Sequence, residues 1–412
     1  RRRLERPAPP PVEGEVAFLY PGSSAHHLGM GGSLLAELPS VHAALADRSD
    51  HLASQHAVAL SAPRSFGRPG GWRRRAEAAL EARPLDLIFA HVSHGIAVTE
   101  GLRQAGVRPD AAIGYSLGES TALLALGAWP DRDALWRDVV ASPLFSEQLA
   151  GEHALARTAW GADADWAVAV LPVAPDLLRS ALVGRASLLI VNAPDECVVG
   201  GHRPDVAATA AALGARCTWL RGVPTVHCAL VEPVAPAYRA LHTQPTVAVP
   251  GLRFYSGHRG EAYAVTSEAC ADSIVANALH GLDFAATVER AWQDGVRVFV
   301  ECGPGSSCTR MVGRILGDRP HRAVSADRPG VSGSLALFEA LAVLAEAGRP
   351  VDLDRLLPPA VAAPRAPGPC VDVVLGGPRP NPPSLAAFLA AHKTPSLAAA
   401  PEASHTPAAS PG

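Results

Sequence analysis

Lysine is almost missing from this chain of 412 residues: of 36 basic residues only Lys393 is a lysine. We read that as compositional bias without functional content. The 36 basic and 39 acidic residues nearly cancel, leaving a formal net charge of −3. Such balance excludes a global pull toward nucleic acid or an anionic membrane surface. No apolar run approaches the roughly 18 residues that a membrane helix needs. Cysteine is sparse: Cys197, Cys217, Cys228, Cys270, Cys302, Cys308 and Cys370 make an odd set of seven. No CxxC or Cys/His spacing appears, so neither a disulfide framework nor a structural zinc or other metal site is expected, and a reducing, cytoplasmic compartment is. The chain starts at Arg1, with Arg2 and Arg3 following and no apolar signal core behind them. The expectation is a segment of a longer polypeptide.

Apolar residues are plentiful. At 48% hydrophobic, 18% charged and a mean hydropathy of +0.13, the chain supports a sizeable core and room for two to three domains. Both ends read as linkers, over residues 1–14 and 358–412. Residues 7–11 are Pro-Ala-Pro-Pro-Pro, and 13 of the 38 prolines fall in 358–412 among many alanines. Such composition stays extended and buries no core.

Between them, Val16–Tyr20 reads as a strand stopped by Pro21-Gly22, 85–92 as a buried helix, and 111–114 as a second strand leading into a helix over 119–128. Repeated strand-then-helix order predicts a parallel α/β sheet. Residues 166–220 change rhythm. Strands at 166–171, 188–191, 197–200 and 217–220, with helices at 175–182 and 205–213, give the order βαββαβ of a split βαβ, ferredoxin-like module. The α/β pattern then resumes, with a helix at 284–294, a strand at 296–301 and a helix at 333–346. The expected organisation is a core of 15–160 and 221–357 with a small subdomain of 161–220 inserted.

The strongest chemical signal is Gly114-Tyr115-Ser116-Leu117-Gly118, placed between a strand and a helix as a nucleophile elbow requires. The glycines permit a tight turn that exposes the Ser116 hydroxyl, and the helix behind it aims free N–H groups at a developing oxyanion. A serine hydroxyl needs a base. Sixteen histidines compete; His227, in Pro224-Thr225-Val226-His227-Cys228, follows directly on the inserted module. The loop Gly22-Ser23-Ser24 after the first strand can present a backbone N–H, and Gly303-Pro304-Gly305 turns after Glu301-Cys302.

Taken together, Tyr20-Pro21-Gly22-Ser23, Gly114–Glu119, Val226–Leu230 and Glu301–Gly305 occur in an order that resembles the acyl-CoA:acyl-carrier-protein transacylase family, in particular acyltransferase domains of polyketide and polyunsaturated-fatty-acid-type synthases. The resemblance runs from about Val16 to Pro358 and includes Asn192-Ala193-Pro194. It implies an α/β-hydrolase-like core with a ferredoxin-like insert. Ser116 would be the nucleophile, His227 its base, and the amides of Ser23 and Leu117 the oxyanion hole. Asn192 would contact substrate, and Asp283 would orient the histidine. The implied reaction is ping-pong transfer of an acyl group from acyl-CoA to the phosphopantetheine thiol of an acyl carrier protein. No cofactor is bound by the chain itself, and neighbouring synthase domains would be reached through the Pro/Ala-rich linkers. A hydrolase of the same fold, using the same Ser/His pair on stalled acyl thioesters or esters, is the alternative.

Three positions depart from the family pattern. The first loop has Ser23-Ser24 where Gln-Gly is usual, and Tyr115 replaces the His before the nucleophile. Malonyl-type relatives carry an Arg about 25 residues after the serine for bidentate pairing with the substrate carboxylate. Here the positions are Ala141 and Ser142, and Arg137, one helical turn earlier, is the remaining candidate for a substrate contact. A neutral acyl substrate, acetyl or longer, is therefore expected ahead of malonyl.

Overall fold

A computed structural model describes residues 12–55 and 71–357 of the chain. The expected linkers lie almost wholly outside these residues. Strands follow one another as β1 (Glu15–Tyr20), β2 (Ala111–Gly114), β3 (Trp166–Leu171), β4 (Ser187–Ala193), β5 (Glu196–His202), β6 (Thr218–Leu220), β7 (Arg253–Tyr255), β8 (Ala262–Tyr263), β9 (Leu282–Asp283), β10 (Val296–Glu301) and β11 (Arg322–Ser325).

They form two sheets. The larger has the order β11-β10-β1-β2-β7-β8 and is parallel except for the β7–β8 edge. Helices cover both faces of a parallel sheet, which is why β1 and β10 read as nearly continuous apolar runs. The register sets Tyr20 beside Gly114 and Leu19 beside Glu301. The carboxyl ends of β1, β2 and β10 are thus neighbours, and the loops carrying Ser23, Ser116 and Gly303 leave from one edge. That edge is where open α/β sheets place their sites.

The helix Pro84–Gln104 is buried along most of its length and runs under this edge. A Cβ on Gly95 would stand 2.7 Å from Thr121 Cγ2, so glycine lets it approach the helix Gly118–Ala125 closely.

The second sheet has the order β6-β3-β5-β4-β9. Its first four strands are antiparallel, with helices Pro175–Ala181 and Arg203–Ala212 packed through Leu178 and Val206 on Leu171 and Val199. This is the expected βαββαβ module. Its other face, with Val168, Leu189 and Val198, shares a core with Val288 and Met311 of the helices Phe284–Gln293 and Ser307–Leu316. One strand of this sheet has no signal in the sequence: β9 joins parallel to β4 after the chain has returned to the core. Two residues offer no periodicity to read, and β7 and β8 are almost as short.

Candidate active site

The elbow is a steric necessity of its glycines. A Cβ on Gly118 would lie 1.9 Å from the Tyr20 carbonyl oxygen, and one on Gly114 2.2 Å from Glu119 backbone atoms. Ser116 between them has φ 57°, a left-handed conformation rare for a residue with a side chain. The strain aims its hydroxyl out of the sheet edge.

His227 arrives from the loop after the small subdomain, also left-handed at φ 68°, with its own amide and that of Cys228 both donating to the Ala278 carbonyl. Its Nε2 stands 2.8 Å from Ser116 Oγ. Its Nδ1 donates to the backbone carbonyl of Asn277 at 2.9 Å. A carbonyl only accepts, so the proton resides on Nδ1, and Nε2 turns a lone pair toward the hydroxyl. Two side chains 111 positions apart therefore meet at hydrogen-bond distance, in the geometry a general base needs.

The orienting group differs from the expectation. Asp283 caps the helix Phe284–Gln293, accepting from Ala286 N at 2.8 Å, and has no hydrogen bond to the imidazole. A carboxylate placed at a helix N-terminus is already committed to orphan amides. Asn277 orients the ring with its main chain instead, and its side-chain amide donates to buried Glu119 at 3.2 Å. Glu119 also accepts from Ser273. A backbone carbonyl has no residue-type signature, so nothing in the sequence points to position 277.

The two residues whose amides are expected to form an oxyanion hole, Ser23 and Leu117, line the same cavity as Ser116. Leu117 N–H follows the nucleophile at the start of the helix Gly118–Ala125, and Ser23 N–H opens a 3₁₀ turn, Ser23–Ala25. Neither donates to a protein acceptor among the described residues. Ser23, Ser116, Leu117 and His227 line one cavity of about 70 Å³. Ile88, Phe145, Val226, Tyr238 and Ile274 supply its apolar wall, and His242 closes it with Nδ1 committed to the Tyr238 carbonyl. No arginine or lysine among the described residues lines it.

Arg137 does not supply the missing cation. It sits on the solvent side of the helix Arg132–Ala141, whose buried face carries Leu135 and Val139. Ala141, one turn later on the same face, is exposed as well, so this face of the helix looks to solvent and away from the cavity. Asn192 likewise contacts no open space. It is buried, with Oδ1 accepting from Tyr115 O–H at 2.7 Å and Nδ2 donating to Glu196 at 3.0 Å. Glu196 in turn pairs with Arg310 and Arg314. Both polar ends of Asn192 are used, so it ties the elbow to the small subdomain and is not a substrate ligand. Tyr115 is the reason: its hydroxyl reaches across to the β4–β5 hairpin. The Gly303-Pro304-Gly305 turn also finds its meaning here, since a Cβ on Gly303 would meet Pro21 at 2.6 Å. Buried Glu301 accepts from the amides of Cys308 and Thr309 at 3.2 and 2.7 Å, fixing the start of the helix behind that turn.

Burial pushes the His227 imidazole down to about 4, against the raising effect of its hydrogen bonds with Asn277. It is therefore neutral and basic at pH 7. The acid limb of kcat/KM is expected near pH 4 instead of the ~6.5 of an ordinary histidine. Stability runs the same way. Between about 4 and ~6.5 the unfolded chain binds a proton that the folded chain refuses, so stability rises with pH across that window. Burial also lowers His242 to about 4 and His91 to about 3, adding to the slope. Initial rates from pH 3.5 to 8, divided by the acyl-enzyme stoichiometry at each pH, separate the two effects. A limb that stays near 6.5 after this division contradicts the assignment of His227 as a buried neutral base.

Residues 17–328 match the acyl transferase domain family. Malonyl CoA-acyl carrier protein transacylase of Bacillus subtilis is 24% identical over 308 residues, 73% of this chain and 90% of that protein. The conidial pigment polyketide synthase PfmaE of Pestalotiopsis fici is 25% identical over 319 residues, 74% of this chain but only 14% of that far longer protein. Among solved structures, the acyltransferase domain from the second module of the salinomycin polyketide synthase superposes with a TM-score of 0.65 at 25% identity, covering 83% of this chain and 76% of that one. A malonyl-transacylase solved in complex with its type II polyketide synthase acyl-carrier protein has a TM-score of 0.62 at 23% identity, covering 80% and 99%. No helix among the described residues is long and apolar enough to cross a membrane. With its parallel α/β core, inserted βαββαβ module and an elbow serine facing a histidine, the chain belongs to the acyl transferase domain family.

Proposed function

We propose that this domain moves a neutral acyl group from coenzyme A to the phosphopantetheine thiol of an acyl carrier protein, through an ester on Ser116. The observation that carries the reading is the 2.8 Å approach of His227 Nε2 to Ser116 Oγ, with Nδ1 held by a carbonyl. In the first half-reaction, Oγ attacks the thioester carbonyl carbon while its proton passes to Nε2. The oxyanion that forms is met by the amides of Ser23 and Leu117. It collapses with cleavage of the C–S bond, and the imidazolium returns the proton to the departing thiolate of coenzyme A. In the second half, the carrier thiol gives its proton to Nε2, attacks the Ser116 ester, and Oγ leaves as the restored hydroxyl.

The acyl class follows from the cavity. A malonyl carboxylate bound there would have neither arginine nor lysine of the described residues beside it. An unpaired buried carboxylate costs several kcal/mol. An acetyl or other neutral chain needs only the apolar wall. The enzyme acylated separately with acetyl-CoA and malonyl-CoA, with the Ser116 peptide weighed at early times, is expected to carry acetyl at least ~10-fold faster. Preference for malonyl would overturn the substrate class. Addition of a phosphopantetheinylated carrier protein should then discharge the ester onto its thiol. Discharge to water at the same rate without any carrier would identify a hydrolase.

A further inference from the structure

Beneath the loop that carries Ser23 lies a buried charged cluster that the transfer mechanism does not use. Asp327, 1% exposed, follows β11. Its Oδ2 accepts from His27 Nε2 at 2.7 Å and lies 3.3 Å from His94 Nε2. Burial alone would push this carboxyl up; the two imidazoles instead hold it well below the usual carboxylate range. Asp327 is itself fixed, its amide donating to Ser325 Oγ and its carbonyl accepting from the same hydroxyl.

His27 is four positions beyond Ser23, on the same loop. That loop runs from Pro21 to Gly31 and is held at several points by histidines. His91 Nε2 donates to the Pro21 carbonyl at 2.9 Å, and His26 Nδ1 donates to the Ser23 carbonyl at 2.9 Å. Gly31, left-handed at φ 74°, closes the loop against His94, where a Cβ would lie 2.9 Å from Nδ1. His91 and His94 belong to one face of the helix Pro84–Gln104, whose Ile88 lines the acyl cavity. The loop thus rests on a rigid helix and on Asp327, whose carboxylate itself lies against that helix at His94. Past the end of β1 no strand ladder holds the direction of a backbone donor, and an oxyanion donor misplaced by an ångström loses most of its effect.

We infer that the Asp327–His27 pair is a positioning device that sets the direction of the Ser23 amide in the oxyanion hole. The inference rests on the reading of Ser23 as an oxyanion donor. Neither residue touches the reacting atoms, so both act through the loop.

The test is a cycle in the full chain, read as kcat and KM for acylation by acetyl-CoA per mole of Ser116 that can be acylated, with melting temperature followed alongside. Asp327→Ala and His27→Ala are each expected to lower kcat about 30-fold while KM moves less than about threefold. His27→Gln, whose side-chain amide can donate to the same carboxylate oxygen, should recover kcat to within about threefold. In a Ser23→Pro background, which lacks the amide hydrogen, Asp327→Ala should cost less than about threefold more, because the two act on one interaction. If Asp327→Ala lowers the melting temperature but leaves kcat per acylatable site unchanged, the inference is overturned. It is overturned equally if the full effect of Asp327→Ala persists in the Ser23→Pro background. If Ser23→Pro alone has no effect, the oxyanion reading of Ser23 falls first, and the inference falls with it. Should the alanine variants fail to fold, the near-isosteric Asp327→Leu, which has no acceptor, against His27→Gln supplies the same comparison, with loss for the first and retention for the second.

Discussion

Replacing His227 by alanine is expected to lower kcat for acyl transfer by about 10⁴-fold or more. Ser116 would keep its place, because the elbow is enforced by Gly114 and Gly118 and not by the imidazole. What disappears is the lone pair 2.8 Å from Oγ. Without it the hydroxyl must lose its proton to water against an intrinsic pKa far above 7. Both half-reactions pass through the same nitrogen, so acylation from coenzyme A and discharge to the carrier should fall together. A variant impaired in only one half would mean that a second base serves the other. The acid limb expected near pH 4 should vanish with the side chain. Part of the loss is structural: the Asn277 carbonyl keeps the Gly281 amide at 3.1 Å but loses the imidazole, which costs about 0.5–1.5 kcal/mol of stability. Activity per acylatable serine, measured well below the melting temperature, removes that part. Retention of more than a tenth of the normal kcat would end the case for His227 as base.

The same pair shows how far the sequence can be read. Ser116 is legible because its chemistry depends on steric rules: a strand, two glycines at fixed spacing and a helix leave the middle residue one place to go. His227 is legible only through the order of several motifs, since a lone histidine among sixteen carries no spacing signal. The core strands and the βαββαβ insert can be read because apolar runs bounded by turns repeat over long stretches. β7, β8 and β9, at three, two and two residues, are defined by what they pair with.

The side chains whose roles differ from expectation share one cause. Asp283, Arg137 and Asn192 are residue types that often serve active sites, and each sits at a suitable distance along the chain. In the fold each is claimed by a local demand: a helix N-terminus for Asp283, the solvent face of an amphipathic helix for Arg137, and the Tyr115–Glu196 hydrogen bonds for Asn192. Linear position does not reveal such prior commitments. The converse holds for Asn277, whose contribution is made by an atom common to every residue.

Backbone donors raise the same difficulty for the oxyanion hole, and there a substitution can isolate the atom. Ser23 is the first residue of a 3₁₀ turn and follows Gly22 at φ −85°, ψ 169°. The first position of a helical turn accepts proline, since its N–H has no partner within the turn and its φ already lies near the value that the ring imposes. The extended conformation of Gly22 is the one that a residue before proline prefers. Ser23→Pro thus deletes one amide hydrogen and is expected to leave the melting temperature within a few degrees. Loss of one oxyanion donor typically costs about 10²–10³ in kcat, and a loss of that size is expected here. Ser23→Ala should be nearly silent, because the hydroxyl is not the donor and alanine keeps the amide. The contrast also accounts for the departure of this loop from its relatives: a serine where glutamine is usual changes the side chain and spares the working group. The proline ring takes the space toward which the amide hydrogen points, so the result is read as a kcat loss with KM for acetyl-CoA moving less than about threefold. A silent Ser23→Pro, or a Ser23→Ala as damaging as the proline, would remove Ser23 from the hole and leave Leu117 as its single assigned donor.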